Sequence, residues 1–154
     1  IKKEPTCFQE SDWVIETELG AGGYSKYIYL HVLSLPNLFF RVFLVKNTET
    51  GEKVAAKVYN KKLRGRGLDT NHEAEILSKL SHPGIVKQLG YADNIKLTYT
   101  SGKSRYDSVL FLEYLPEGDF LGLIQEFAHF PEDLALTYFR QMLRIIDYLN
   151  ANKI

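Results

Sequence analysis

The sequence predicts an α+β fold in which an early β-sheet and a later group of helices lie in different layers or lobes. Three observations support this prediction: strand-like segments open the chain, a helical segment interrupts them, and strongly helical residues close it. The composition, 45% hydrophobic and 25% charged over 154 residues, is typical of a globular domain. Basic and acidic residues are balanced at 19 each, so we expect neither a nucleic-acid nor a membrane partner.

Three strands are predicted before residue 60. Residues 1–12 form a polar leader, and Trp13–Leu19 then alternates as a strand does. Val42–Val45 is the second strand, and the turn-rich stretch after it contains Gly51 at a position that suits a hairpin. Lys53–Tyr59, which is rich in valine and alanine, is the third strand.

One helix is predicted over Glu73–Leu80, because Ile76, Leu77 and Leu80 recur at helical spacing. The stretch SHPG ends this helix, since proline restricts the residue before it. The remaining predicted elements are strands Ile85–Leu89, Ile95–Tyr99 and Ser108–Tyr114, a short helix Phe120–Phe127 and a longer helix Glu132–Asn150.

The sequence indicates an intracellular protein. Cys7 is the single cysteine and cannot pair within the chain, which fits a reducing compartment. The longest apolar stretch, Tyr27–Phe40, is interrupted by polar residues and is shorter than the about 20 apolar residues that span a bilayer. No signal peptide opens the sequence. We therefore expect a cytoplasmic location, with the nucleus as an alternative.

Three glycines follow the first predicted strand in the stretch LGAGGYSK: Gly20, Gly22 and Gly23. Glycine allows positive φ and lets backbone N–H groups approach phosphate oxygens without a Cβ in the way. A dinucleotide-binding loop is disfavoured, because β-like residues and not a helix follow. A phosphate-binding loop and a simple hairpin turn both remain open.

Lys57 and Glu73 are candidates for a buried ion pair. Lys57 lies in mid-strand among alanine and valine residues, although a lysine that snorkels from an edge strand fits the same pattern. Glu73 lies on the apolar face of the predicted helix and needs a partner if it is buried. The competing interpretation is a capping box from Thr70 to Glu73, in which Glu73 folds back on its own helix.

Four stretches occur in order along the chain: LGAGGYSK, VAAK, HEAEILSKLSHPGIVK and VLFLEYLPEGDF. Together they resemble the amino-terminal half of a eukaryotic protein kinase domain. The closing stretch, EGDFLGLIQEFAHFPEDLALTYFRQML, resembles serine/threonine kinases of the calmodulin-dependent and AMP-activated type. The resemblance implies a kinase N-lobe over residues 13–115, with a five-stranded antiparallel sheet and helix C. The hinge exit and the first helices of the α-helical C-lobe would follow over residues 116–154.

The resemblance also implies roles for individual residues. Lys57 matches the catalytic lysine that holds the α- and β-phosphates of ATP, and Glu73 matches the helix-C glutamate that pairs with it. Gly20 and Gly22 match the first two glycines of the G-x-G-x-x-G loop, with Ser25 in the third place. The implied ATP-contacting residues are Leu19, Gly20, Ala21, Gly22, Gly23, Tyr24, Ser25, Val42, Ala55, Lys57, Leu112, Glu113, Leu115 and Asp119.

Several of these residues have a more specific implied role. Leu19 and Ala55 would line the adenine slot, and Val42 matches the valine that caps the adenine. Leu112 would be the gatekeeper residue behind the adenine. The Glu113 C=O and the Leu115 N–H would form hydrogen bonds with the adenine edge, and Asp119 would contact the ribose.

The activity implied by the resemblance is transfer of the ATP γ-phosphate to serine or threonine hydroxyls of a protein substrate, with Mg²⁺ as the metal. The H-R-D and D-F-G motifs, which supply the catalytic base and the metal ligands, do not occur in these residues. We therefore expect no metal ligands here and no activity from this segment alone. The alternative from another class is a pseudokinase that binds a nucleotide or a partner without phosphotransfer.

An atypical apolar segment, residues 27–41, interrupts the glycine-rich stretch and the strand that would follow it. If this segment is removed, LGAGGYSK runs directly into VFLVKN, as in an uninterrupted kinase glycine loop and strand. We interpret the segment as an unremoved intron or a gene-model error, and a real insertion that docks a partner or lengthens the hairpin is the alternative. Transcripts that uniformly encode residues 27–41 would refute the first interpretation.

Overall fold

The computed structural model describes residues 8, 12–22, 40–59, 70–117, 122, 124–125 and 131–154. The described part contains five strands and two helices of defined length. The strands are β1 (Trp13–Gly22), β2 (Phe40–Asn47), β3 (Lys53–Tyr59), β4 (Gln88–Tyr99) and β5 (Ser104–Leu112), and the helices are α1 (Thr70–Lys79) and α2 (Glu132–Ala151).

The five strands form one antiparallel sheet in the order β1-β2-β3-β5-β4. A short parallel pairing between β1 and β4, from Trp13↔Leu97 to Ile15↔Tyr99, closes the sheet into a barrel. Over these three residue pairs, closure pairs backbone groups that an edge strand would leave open. The predicted fold class is thus confirmed for the sheet and its accompanying helix.

The β2–β3 hairpin shows how local sequence determines a turn. The Asn47 side-chain oxygen accepts hydrogen bonds from the N–H groups of Glu49 (2.9 Å) and Thr50 (3.0 Å). Gly51 has a φ of 73°, in the left-handed region that glycine adopts without steric cost. The prediction of a hairpin at Gly51 is therefore confirmed.

The core lies between the inward faces of the strands. Alternate residues of each strand point to the same face, and the buried set is Phe8, Trp13, Ile15, Phe43, Val45, Val54, Ala56, Val58, Ala92, Ile95, Leu97, Val109 and Phe111. Phe8 comes from the stretch that the sequence predicts as a polar leader, yet it is only 3% exposed. Its ring stacks on Phe111 at 4.6 Å and on Trp13 at 5.8 Å between centroids. Phe8 is therefore a core residue, and the interpretation of its stretch as a polar leader does not hold at this position.

The prediction of two strands over Ile85–Leu89 and Ile95–Tyr99 is wrong. One strand, β4, begins at Gln88, includes only the last two residues of the first predicted strand and continues through the whole of the second, and its register against β5 shifts between Ala92 and Ile95. Asn94 lies in this bulge with a φ of 59°. Asparagine tolerates this conformation better than other non-glycine residues, so the polar residues that look like a loop in the sequence form a bulge within a continuous strand.

The chain divides into two compact units. The first comprises Ile1–Lys79 and Lys87–Tyr114, and the second comprises Leu80–Val86 and Leu115–Ile154. Of the helix predicted over Phe120–Phe127, the structure describes residues 122, 124 and 125, which are helical.

Within the second unit, Tyr148 of α2 contacts the stretch SHPG. Its hydroxyl accepts a hydrogen bond from the Ser81 N–H (2.9 Å), and its ring lies 4.9 Å from that of His82. The stretch SHPG, which ends the first predicted helix, therefore belongs to the same unit as the last helix.

Candidate functional site

The outward face of the sheet brings several of the sequence-predicted site residues together. On β3 the core takes Val54, Ala56 and Val58, so Ala55, Lys57 and Tyr59 lie on the other face. Strand pairing places the predicted neighbours beside these residues: Val42 opposite Lys57, Leu112 opposite Ala55, and Gly20 opposite Val42. A lysine is thus surrounded by small and aliphatic residues of three adjacent strands.

Lys57 forms an ion pair with Glu73 of α1. The Lys57 Nζ lies 2.7 Å from both carboxylate oxygens, and the side chains are 13% and 40% exposed. The helix begins at Thr70, and the carboxylate of Glu73 reaches the sheet instead of folding back on its own first turn. The geometry therefore shows the pairing with Lys57 and not the capping box.

Tyr59 also binds Glu73, a contact that the sequence analysis does not anticipate. Its hydroxyl donates to Oε2 of Glu73 at 2.7 Å. Burial raises the pKa of Tyr59 well above its usual value, and the hydrogen bond to Glu73 and its negative charge raise the pKa further. The phenol is therefore protonated at neutral pH and can act as a donor. The signal in the sequence is the spacing, since Tyr59 follows Lys57 by two residues on the same strand face.

Phe40 covers the ammonium group of Lys57. The Lys57 Nζ lies 4.0 Å from the centroid of the Phe40 ring, within the range of a cation–π interaction. The same ring meets Tyr59 edge-on, with centroids 6.4 Å apart and planes at 60°. The ammonium is thus held between a carboxylate and an aromatic face.

The register of β1 and β2 can be compared with the kinase motif G-x-G-x-x-G-x-V. In a hairpin with a two-residue loop, the first glycine of this motif lies opposite the valine, and the second lies opposite the third. The structure has Gly20 opposite Val42 and Gly22 opposite Phe40. Val42 therefore has the position expected for the motif valine, while Phe40 has the position of the third glycine.

Of the other predicted site residues, Leu19 and Ala21 lie on β1, and Leu115 belongs to the second compact unit. Leu19 is 43% exposed and falls at the bulge of β1 between Glu18 and Gly20. Leu115 is exposed. Backbone pairing places Ala21 opposite Arg41. Four predicted residues, Gly23, Tyr24, Ser25 and Asp119, lie outside the described part of the chain.

Glu113 follows directly after β5 and forms two hydrogen bonds with the backbone of Lys87. Its N–H donates to the Lys87 carbonyl at 3.0 Å, and its carboxylate accepts from the Lys87 N–H at 2.7 Å. Neither contact uses the Glu113 carbonyl oxygen, which is the atom that the resemblance assigns to the adenine edge.

The arrangement is suited to binding an anion next to a flat apolar group. An ammonium oriented by a carboxylate can bind phosphate oxygens as a compact charge, and the aliphatic side chains beside it offer contact area. Among the described residues, no cluster of histidine, cysteine, aspartate or glutamate is arranged to hold a metal ion. In the same part of the chain, neither α1 nor α2 is long and apolar enough to cross a membrane.

The fold and the site define a kinase-type domain, and the comparison with known families agrees. The family model "Protein kinase domain" matches residues 39–154, most of the chain. The chain therefore belongs to the protein kinase domain family.

Two curated relatives illustrate the similarity. Mitogen-activated protein kinase kinase kinase 3 of Arabidopsis thaliana is 31% identical over 124 residues, covering 75% of this chain and 18% of the relative. Mitogen-activated protein kinase kinase kinase A of Dictyostelium discoideum is 32% identical over 143 residues, covering 88% of this chain and 12% of the relative. The chain thus spans less than a fifth of the length of these two relatives.

A solved structure has the same fold. The crystal structure of Rad53 1-466 in complex with AMP-PNP matches with a TM-score of 0.61 and 23% identity, over 91% of this chain and 30% of that one. The curated relatives above carry the name mitogen-activated protein kinase kinase kinase. These names do not support the calmodulin-dependent or AMP-activated subtype that the sequence analysis expects.

Proposed function

We propose that this chain is the ATP-binding part of a serine/threonine protein kinase. The observation that carries the proposal is the Lys57–Glu73 ion pair, with both carboxylate oxygens 2.7 Å from the ammonium, on a sheet face that also carries Val42, Ala55 and Leu112. ATP would supply the phosphoryl group, which passes to a serine or threonine hydroxyl of a protein substrate.

Lys57 would bind the α- and β-phosphate oxygens, and Glu73 would hold its ammonium in place. An oriented ammonium stabilises negative charge without reorganising during the reaction, which is the main protein contribution to phosphoryl transfer. The backbone of Gly20 to Ser25 would lie along the phosphates.

The adenine would contact the aliphatic residues of the same face. Val42, Ala55 and Leu19 would pack on the ring, with Leu112 as gatekeeper behind it. The remaining proposed contacts are those of the Glu113 C=O and the Leu115 N–H with the adenine edge, and of Asp119 with the ribose. Mg²⁺ is the proposed metal, and none of the residues named above is proposed as its ligand.

The subgroup and the location are also proposals. The named relatives favour a kinase of the mitogen-activated protein kinase kinase kinase type, whose substrate would itself be a protein kinase. An intracellular location is supported by the single cysteine of the chain. The relatives give no support to the pseudokinase alternative.

The replacement Lys57→Met in the full-length protein tests the proposed function. We expect phosphotransfer to be abolished and ATP binding to be weakened, with an unchanged circular dichroism spectrum. Lys53→Met is the matched control, because Lys53 lies on the same strand in a half-exposed ion pair with Glu16, and we expect it to retain activity. Retained activity in Lys57→Met would contradict the assignment.

A further inference from the structure

We propose that Tyr59 is a positioning residue for phosphate binding, which acts on Lys57 through the carboxylate of Glu73. This inference rests on the proposed function and adds a third member to the ion pair. Its basis is the hydrogen bond of 2.7 Å from the Tyr59 hydroxyl to Oε2 of Glu73.

Lys57 and Tyr59, two residues of the same strand, both donate hydrogen bonds to the Glu73 carboxylate. Lys57 bonds both Oε1 and Oε2, whereas Tyr59 bonds Oε2 alone. Because the two residues are separated by one residue on β3, their side chains reach Glu73 from places about 6–7 Å apart along the strand. This geometry restricts rotation of the carboxylate and keeps both of its oxygens directed at the ammonium.

The hydroxyl has a further effect once a phosphate is present. The ammonium of Lys57 has only three N–H donors, so phosphate oxygens must share it with Glu73. The neutral phenol of Tyr59 has no attraction for the phosphate that compares with that of the ammonium, so it continues to donate to Glu73. Tyr59 thus keeps α1 connected to β3 while Lys57 divides its hydrogen bonds between the carboxylate and the ligand.

The Tyr59 ring is itself held in place. Phe40 meets it edge-on, and the ring lies 5.5 Å from the Lys57 Nζ. The hydroxyl is therefore presented to Glu73 by a side chain that is packed on one side by another aromatic ring. A purely packing role for Tyr59 would depend on the ring, whereas the proposed role depends on the hydroxyl.

The replacement Tyr59→Phe in the full-length protein separates these roles, because it removes only the hydroxyl. We expect ATP affinity to fall about three- to tenfold, the size of one net hydrogen bond. Adenosine, which lacks phosphates, should bind with unchanged affinity. Equal weakening of ATP and adenosine would indicate a structural role and would overturn the proposal. Tyr106→Phe, on an exposed position of β5, is the matched control and should change neither affinity.

A double-mutant cycle supplies the second measurement. In a Glu73→Met background the hydroxyl has lost its acceptor, so adding Tyr59→Phe should change ATP affinity less than about 1.5-fold. Additive losses would overturn the proposal, since Tyr59 would then act independently of Glu73.

Measuring ATP binding by Lys57→Met alongside Tyr59→Phe distinguishes failure of the proposed function from failure of the proposed role of Tyr59. If Lys57→Met binds ATP as the wild type does, the proposed function fails. If Lys57→Met weakens ATP binding and Tyr59→Phe does not, only the role of Tyr59 fails.

Discussion

The sheet buries its large apolar side chains, whereas the last helix leaves many of its apolar side chains exposed. In the sheet, large side chains such as Trp13 and Phe111 are at most 1% exposed. In α2, no described residue is fully buried. Several residues of this helix are half-buried, namely Ala135, Tyr138, Ile145 and Leu149, while other apolar residues are exposed: Leu136, Phe139, Met142, Leu143 and Ile146.

This difference indicates that, among the described residues, the sheet contributes most of the stabilisation that comes from apolar burial and α2 contributes little. Burial of apolar area stabilises by about 25 cal/mol per Å², so the closed sheet provides its own stability. The exposed residues of α2 gain little of this term from the described part of the chain. The sheet should therefore respond strongly to substitution and the helix weakly, and the following predictions test that contrast in order of size.

The largest effect is expected for Phe111→Ala. The ring is fully buried between Phe8 and Trp13, with centroids 4.6 and 4.9 Å away. Its removal leaves a cavity, and we expect a loss of about 3–5 kcal/mol in the free energy of unfolding. Urea denaturation measures this loss, and a change below about 1 kcal/mol would contradict the account of the core.

A smaller loss is expected for Gly90→Ala. An added Cβ would lie 2.7 Å from Cδ2 of Phe8, whose ring is stacked on two other rings and cannot withdraw. Overpacking of this kind destabilises by about 1–3 kcal/mol.

Gly84→Ala is the control from the second unit. Its Cβ would lie 2.6 Å from Cδ1 and 2.8 Å from Cγ1 of Ile145, but the Ile145 side chain is only half-buried and can move towards the solvent. We expect a smaller loss than for Gly90→Ala in the same denaturation experiment. An equal or larger loss would contradict the contrast between the two units.

Phe40→Leu should have a modest effect. It removes the aromatic face from the Lys57 ammonium, 4.0 Å away, and a partly exposed cation–π contact contributes about 0.5–1 kcal/mol. Phe40→Tyr keeps an aromatic face and should unfold at nearly the wild-type temperature. If calorimetry shows the same melting temperature for both variants, the contact does not stabilise the sheet.

The smallest effect is expected for Phe139→Ala, which makes the same substitution as Phe111→Ala on the exposed face of α2. Phe139 is 57% exposed, so we expect a change within about 0.5 kcal/mol. A loss of several kcal/mol in urea denaturation would show that this face is covered in solution.

The sequence predicts the elements whose signals are local. Alternation locates β1, the valine and alanine content locates β3, and helical spacing locates α1 and α2. Local sequence does not distinguish the Lys57–Glu73 ion pair from a capping box at Glu73. The ion pair is therefore implied only by the kinase resemblance.

Other features depend on contacts between distant residues and leave no periodic signal. Phe8 is an isolated aromatic residue in a polar stretch, and only the rings of Trp13 and Phe111 make it part of the core. In the sequence, the polar residues around Asn94 look like a loop. They lie within a strand because the residues on either side of them pair with β5, and this pairing leaves no local sequence signal. The contact of Phe40 with Lys57 requires knowing which residue of β2 lies opposite Gly22.

The pairing of Gly22 with Phe40 has a consequence for genetic variation at this hairpin. The two ends of the 17-residue connection, Gly22 and Phe40, are paired in the sheet, and the entropy of closing a connection grows by only about 0.6 kcal/mol for each doubling of its length. A message without the codons for residues 27–41 would keep Val42 opposite Gly20 and bring Ser25 opposite Gly22. Alternative splicing would then exchange an aromatic cover over the Lys57 ammonium for a small hydroxyl, without shifting the strand that carries this lysine.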